Sequence, residues 1–458
     1  MTHMNDNEIQ PQDFNRRDFL KSGSVATLMT MLGGVDLFAQ ANAGAAGESK
    51  PAGPKVKVAV IGLGAWGREI LNTLAVIPEA DVAMICDTYA ASLRRSSGLT
   101  AQAAQTQAFD VVLQNKDIKA VVLATPTHLH KDIALAALKA GKHVYCEAPL
   151  AHTIDDARAI ALAAKATPQV VFQSGLQLRS DPQRHFLVPF IRSGAMGQSL
   201  NARAQFHKKQ SWRTTSPKPE REKELNWRLN KETSLGLVGE LGCHAIDQAS
   251  WFFNLRPTAV TGFGSIAFWK DERDVPDTVQ AVFEMPGGVT LTYDATLANS
   301  FDAQYEIFFG SDAAVMLRDG KAWLFKEVDS PLLGWEVYAS KETFYKETGI
   351  VLKAGASKSV PANAQQSQES QFANTPLFSA LTTFLRNCSD LSAATEDAIA
   401  AFGAEDKENI AAQVAKVQKR AAAGYLEGFQ SAVTVIKANE AILKHERIAL
   451  QREWYELA

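Results

Sequence analysis

The sequence predicts an α/β chain with two architectures in succession: a doubly wound parallel sheet, then an α+β domain built on a large, mainly antiparallel sheet. Three observations carry this. Between Lys55 and Gly175, short apolar runs alternate with amphipathic helical stretches, the signature of a parallel sheet covered on both faces. The first run opens directly into Gly62-Leu63-Gly64-Ala65-Trp66-Gly67. Beyond about residue 198 the pattern changes to apolar–polar alternation on both sides of Gly287-Gly288 and Asp319-Gly320, which reads as antiparallel hairpins.

Taken in order, VKVAVI is a strand, and the helix after the glycine turn places Ile70, Leu71, Leu74 and Ile77 on one face. ADVAMICD is the next strand, ending on Asp87. IKAVVLATP follows, then the helix KDIALAALKAG closed by Gly141, then the strand HVYCE. A further helix starts at Thr153, with Asp155 and Asp156 favourable in its first turn, and VVFQSG is another strand. In the second region one helix is expected at Gly239–Phe253. The Ser/Gln/Ala-rich stretch 354–375 reads as a loop, and Asp406–Ile448 as helix with a break near Gly424. The expected organisation is a leader over 1–43, a linker over 44–54, a nucleotide-binding domain over 55–180, a substrate and association domain over 181–375, and closing helices over 376–458 that pack back on the core.

The leader is not part of the fold. Arg16 and Arg17 precede Phe19-Leu20, a weakly apolar run covers Ser24 to Phe38, and Ala41-Asn42-Ala43 supplies a small-residue cleavage site. The run is too short to span a bilayer and reads as a removable signal. Adjacent arginines followed by Asp-Phe-Leu-Lys resemble a twin-arginine signal, which addresses folded proteins for export, so a periplasmic location is expected. The formal charge is −3 for the whole chain. Without residues 1–43 it falls to −1, with 44 basic residues against 45 acidic ones. With no basic run and no aromatic–basic stripe, nucleic acid is not a partner to expect. Cys86, Cys146, Cys243 and Cys388 show no C-x-x-C and no spacing to histidines that would hold a metal, so free, buried thiols are expected.

Gly62-x-Gly64-x-x-Gly67 follows a strand, opens a helix, and has Asp87 twenty residues past its last glycine. That context is the dinucleotide fingerprint of a Rossmann domain. Gly62 permits the turn, Gly64 lets the backbone approach the pyrophosphate, and Gly67 lets helix and strand close up. The helix N-terminus, at Ala65 and Trp66, favours the anion. Asp87 can accept from the adenine ribose hydroxyls and disfavours a 2′-phosphate. Thr88 and Tyr89 follow it rather than an arginine, so NAD is expected over NADP.

The stretch LATPTHLHKDIALAALKAGKHVYCEAPLA is similar to the hallmark region of the Gfo/Idh/MocA oxidoreductases, which act mainly on sugars and cyclitols. NWRLNKETSLGLVGELGCHAIDQASWFF resembles the same family's second-domain helix. The resemblance covers about residues 55–350. It implies that Thr125, Pro126 and His130, as T-P-x-x-x-H, line the cofactor, that Glu147 stands first in the E-K-P motif beside the nicotinamide, and that Trp227 and Arg228 lie near the cofactor. It implies His244 as the catalytic histidine, with Glu240 in place of an aspartate four residues before it and Asp247 as a polar residue one turn beyond. On a single helix Glu240 and His244 share one face, where the carboxylate could orient the imidazole or hold a substrate hydroxyl. A histidine titrates in the range needed to take the hydroxyl proton as hydride leaves a carbinol.

Ala148 occupies the position of the family's lysine, which hydrogen-bonds the reacting hydroxyl. Either His244 suffices, or Lys208 or Lys209 reaches in from the second domain, or the chemistry has moved. Relatives that resemble α-N-acetylgalactosaminidase also lack the lysine and hydrolyse glycosides by oxidation, elimination, addition and reduction on one recycled NAD. A non-catalytic nucleotide-dependent sensor is a further alternative. Trp212, Trp227 and Trp269 are candidate sugar platforms, with core packing an equal alternative for each, and His128, His143, His152 and His207 are unassigned. The expected function is an exported oxidoreductase acting on a sugar, glycoside or cyclitol hydroxyl with a tightly bound, recycled cofactor. Homo-oligomerisation through the antiparallel sheet is the expected association.

Overall fold

In the computed structural model, residues 55–216, 218–334, 336, 339–344, 347–352 and 374–457 are described. The leader, the linker and the Ser/Gln/Ala-rich stretch as far as residue 373 lie outside the described residues.

The first half is a six-stranded sheet, all parallel, in the order β3-β2-β1-β4-β5-β6. Its strands are β1 (Val56–Ile61), β2 (Ala80–Cys86), β3 (Ala104–Thr106), β4 (Ala120–Leu123), β5 (His143–Cys146) and β6 (Phe172–Ser174). The connecting helices are α1 (Ala65–Ala75), α2 (Ala90–Ser96), α3 (Phe109–Gln114), α4 (His130–Lys139) and α5 (Ile154–Lys165). The strand order reverses between β1 and β4, which makes the gap at their C-terminal ends the binding crevice of such a sheet. Both faces are buried. On one face Ile70, Leu71 and Leu74 of α1 meet Leu377, Leu381 and Phe384 of the long helix α10 (Pro376–Phe402). On the other, Ile133 of α4 and Ile160 of α5 pack with Phe429 of α12 (Tyr425–Lys444). The closing helices therefore complete the layers of this sheet. The break in the C-terminal helical tail is longer than its sequence suggests: α11 (Lys407–Val414) is followed by α12 only after Gly424.

His143 joins β5 to α10. Its Nδ1 accepts from the Val171 N–H at 2.9 Å and its Nε2 meets Ser392 Oγ at 3.1 Å. That geometry requires a neutral ring, and burial, with Lys419 and Lys119 nearby, holds its pKa down at about 4. Protonation is therefore resisted in the folded state and not in the unfolded chain. The contribution is complete above about pH 6.5 and is lost as pH falls from there toward 4, on the order of 3 kcal/mol. His143→Gln should flatten the pH dependence of urea-unfolding stability over that window. An unchanged slope would remove His143 from the account.

The second half is a ten-stranded sheet in the order β14-β15-β13-β12-β11-β7-β10-β9-β8-β16. It runs through β7 (Ser199–His207), β8 (Ala259–Ser265), β9 (Thr278–Glu284), β10 (Thr290–Thr296), β11 (Gln304–Gly310), β12 (Ala313–Arg318), β13 (Lys321–Lys326), β14 (Lys341–Phe344), β15 (Glu347–Val351) and β16 (Ile448–Ala449). All pairs are antiparallel except β7 with β10. Both expected hairpins are present: β9–β10 turns at Gly287 and Gly288, and β12–β13 at Asp319 and Gly320, each of these four residues having positive φ. The helices α6 (Pro182–Arg192), α8 (Gly236–Glu240) and α9 (Cys243–Phe253) cover one face, with Leu187, Ile246 and Phe252 against Phe283 and Phe308.

The single helix expected at Gly239–Phe253 is two. Leu241 leaves helical geometry, with φ −120 and ψ −43, and Gly242 passes under the Tyr293 ring, where a Cβ would stand 2.8 Å from a ring carbon. The approach of β10 sets the break. All four cysteines are free and buried. No helix among the described residues is long and apolar enough to cross a membrane.

Candidate active site

The crevice begins at the glycine turn. Gly62 has φ +96, and a Cβ there would lie 2.5 Å from the Ala124 carbonyl oxygen. At Gly67 a Cβ would stand 1.9 Å from the Gly62 carbonyl oxygen, so α1 can lie this close to β1 only with glycine. Gly64 differs: a Cβ would meet nothing within 4 Å. It is the N-cap of α1, no side chain caps that end, and the first turn carries no acidic residue. Gly64, Ala65 and Trp66 are exposed there, so the helix presents uncapped N–H groups and their positive end to open space. Nothing in the protein's own packing therefore requires glycine at 64.

This contrast is testable. Gly64→Ala should fold with unchanged thermal stability yet bind NAD about tenfold or more weakly, because the methyl fills the approach to the phosphates. Gly67→Ala should instead lower the melting temperature, since helix and strand must separate. Calorimetry on each variant separates the two, and equal effects at both positions would contradict the assignment.

Asp87, at the end of β2, is held by the glycine turn: the Leu63 N–H donates to its Oδ2 at 2.8 Å and the Tyr89 N–H to its Oδ1 at 2.7 Å. Across the crevice, Thr125 Oγ1 is buried with no hydrogen-bond partner. Glu147 Oε1, after β5, is also buried without one, and burial pushes this carboxyl up to about 7, opposed by the Trp66 indole and the Ala148 amide. An acceptor after β2, an uncapped helix end after β1 and two orphaned polar atoms after β4 and β5 run in order across the sheet and fit a bound dinucleotide.

One of the residues expected to line the cofactor acts behind this surface. His130 is buried, with Nδ1 3.1 Å from the Pro149 carbonyl and Nε2 3.0 Å from the Thr125 carbonyl. It ties the T-P turn to the E-A-P turn and has no ring nitrogen free for a ligand. Arg228 packs over Trp227 at 4.6 Å and Trp212 at 5.8 Å, beside the charge of Glu240. Trp227 in turn meets the His128 ring at 6.0 Å.

Glu240 joins the two halves. Thr127 Oγ1 donates to its Oε2 at 3.0 Å and the Leu235 N–H to its Oε1 at 3.1 Å. The i, i+4 expectation is corrected here, because the helix breaks between Glu240 and His244 and the carboxylate's hydrogen bonds run to Thr127 and Leu235. His244 opens α9. Its Nδ1 is buried without a partner, and burial, with the charge of Arg184, lowers its pKa to about 4. The Cys243 thiol feels the charges of Glu240, Asp247 and Glu147, which places the E-A-P strand end against the start of α9. Ala148 packs there, against the core beneath the second sheet.

Asp247 is not free for a substrate. Arg179 grips it with two bonds, Nε to Oδ2 at 2.7 Å and Nη2 to Oδ1 at 2.9 Å, and lies over Trp251 at 5.4 Å. Lys208 and Lys209 are exposed beyond the end of β7, with Lys209 Nζ 4.6 Å from the Phe268 ring centre. Trp269 donates its indole N–H to the Leu297 carbonyl at 2.8 Å and packs on the core. The sequence reading missed Arg179 and Arg184. Arg184 hydrogen-bonds Gln248 at 3.0 Å and pairs with Asp181. The local signal was the charged opening of α6, Arg-Ser-Asp-Pro-Gln-Arg, which by itself reads as a cap.

Comparison with known proteins decides the family. Residues 56–174 match the model of the oxidoreductase family with an NAD-binding Rossmann fold, Gfo/Idh/MocA, and residues 189–315 match the model of its C-terminal domain. The chain belongs to the Gfo/Idh/MocA family. Among curated relatives, levoglucosan dehydrogenase of Pseudarthrobacter phenanthrenivorans is 34% identical over 141 residues, which is 31% of this chain and 34% of that protein. The chain thus spans about a third of that relative's length. A solved structure of levoglucosan dehydrogenase with NADH and levoglucosan superposes with a TM-score of 0.63 at 20% identity, covering 87% of this chain and all of that one. Aldose-aldose oxidoreductase of Caulobacter crescentus, complexed with glycerol, gives 0.60 at 18% identity, covering 86% and 100%. Both superpositions show the fold that this member of the Gfo/Idh/MocA family shares with those two structures.

Proposed function

We propose that the protein is an NAD-dependent oxidoreductase that oxidises a secondary hydroxyl of a sugar, glycoside or cyclitol. The observation that carries this is one chain holding both an uncapped glycine cradle and an unprotonated histidine, in two halves that the Thr127–Glu240 bond joins. The bound nicotinamide supplies the hydride acceptor. The protein's part is positioning and proton transfer. His244 takes the hydroxyl proton as the carbinol C–H electron pair leaves, so the carbon–oxygen bond becomes a carbonyl and the imidazole becomes an imidazolium. Glu240 acts as a positioning residue, holding the T-P turn on the second half. Arg179 fixes Asp247 one turn past His244, and Trp227, beside His128, offers a ring on which a sugar can stack. Arg184 is the cation whose charge acts on His244 in a site where Ala148 offers none.

The leader extends the proposal. An exported NAD enzyme meets no free nucleotide pool, so it must carry its cofactor out and regenerate it by reducing a second carbonyl compound. This reading is supported by the twin arginines at 16 and 17 and by likeness to sugar dehydrogenases and an aldose-aldose oxidoreductase. The test is to denature protein purified from the periplasm without added nucleotide and quantify what it releases. About one NAD(H) per chain is expected, and an empty protein that binds none overturns the proposal. Release of aglycone from an aryl glycoside with no added oxidant would move the reading to the oxidation–elimination glycosidase.

A further inference from the structure

The two residues that follow Asp87 directly, Thr88 and Tyr89, are not arginine, yet an arginine stands beside it in space. Arg221 of α7 (Pro219–Leu225) comes from the second half, 133 residues along the chain from Thr88. Its Nη2 donates to Thr88 Oγ1 at 3.0 Å and lies 3.7 Å from Asp87 Oδ1. Its guanidinium carbon sits 4.9 Å from the centre of the Tyr89 ring, a cation–π contact. Nη1 pairs with Glu224, while Nε is shielded from solvent with no acceptor.

We propose that Arg221 reads the 2′ position of the adenine ribose and admits a 2′-phosphate, so that the chain takes NADP(H) as well as NAD(H). This rests on the dinucleotide reading above and deepens it. An acidic residue at the end of this strand excludes NADP because its charge opposes the phosphate. Here that charge is countered by the guanidinium and dispersed over two backbone N–H bonds. The unpartnered Nε–H, the neighbouring Nη2 and the Thr88 hydroxyl, which keeps its own proton while accepting from Arg221, form a donor set for a phosphate on the ribose. A planar fork with an unfilled donor suits that anion better than a neutral hydroxyl.

The experiment is calorimetric titration of the full-length chain, stripped of nucleotide, with NAD and with NADP. The expected result is a Kd for NADP within about tenfold of that for NAD. Arg221→Ala should weaken NADP about thirtyfold and NAD by less than about threefold, with Arg221→Lys intermediate, since lysine keeps the charge but loses the fork. Thr88→Val, which leaves Arg221 in place, should weaken NADP selectively in the same direction. Equal loss of both nucleotides in Arg221→Ala would make Arg221 a strap between the two halves and overturn the proposal. So would a wild-type protein that binds NAD and rejects NADP. Binding of neither nucleotide would overturn this inference together with the dinucleotide reading.

Discussion

Replacing His244 with alanine lowers kcat for sugar oxidation by about 10²–10⁴-fold and leaves nucleotide affinity unchanged. The ring sits at the start of α9, with a buried Nδ1 that has no partner in the protein, and nothing in the glycine cradle contacts it. Its loss therefore removes the proton acceptor without disturbing the cofactor. The pH dependence follows from the direction of its shift. Burial and Arg184 hold the imidazole pKa at about 4, so the ring is already neutral at pH 6 to 8. Protonation removes the base, so kcat/KM falls as pH is lowered through about 4 and shows no inflection near 6.5 from this group. An inflection near 6.5 that vanishes in His244→Ala would mean the histidine is far more hydrated than its place in the fold implies.

The second large effect is structural. Glu240→Ala should cost about 2–3 kcal/mol of folding stability, read from urea unfolding. The carboxylate accepts from Thr127 and Leu235 and is the opposite charge beside Arg228, which lies half-buried between Trp212 and Trp227. Alanine strands a hydroxyl, an amide and a guanidinium together. Glu240→Gln keeps the volume and one acceptor oxygen for the Leu235 N–H, and the Thr127 hydroxyl can turn to accept from the new amide, so it should cost less than alanine while losing the charge against Arg228. The same alanine variant should lower activity, because Thr127 belongs to the turn that lines the crevice. A loss below about 0.5 kcal/mol, the size of an ordinary surface substitution, would contradict the suture.

How much of this could be read beforehand depends on whether a partner is near in sequence. The glycine turn, Asp87 and the hairpins at Gly287-Gly288 and Asp319-Gly320 are local patterns with local causes, and the structure places them as the pattern implies. The all-parallel order of the first sheet follows from the same alternation. The break after Glu240 could not be read, because it is imposed by Tyr293 from a strand about fifty residues on. Nor could the occupation of Asp247 by Arg179, the double carbonyl contact of His130, or the arrival of Arg221 beside Asp87. Each is a polar pair made by folding between distant segments, and composition leaves no trace of it. A motif alone points polar residues at ligands, and the fold engages several of them itself.

Hydride transfer is the central step of the proposed function, and single-turnover absorbance of the nicotinamide tests it directly. Protein loaded with one equivalent of oxidised NAD is mixed with a panel of sugars, glycosides and cyclitols. At least one of them is expected to reduce the bound cofactor in the wild type and not in His244→Ala. Reduction at the same rate in both proteins, or by no polyol in a protein that holds NAD, would contradict it.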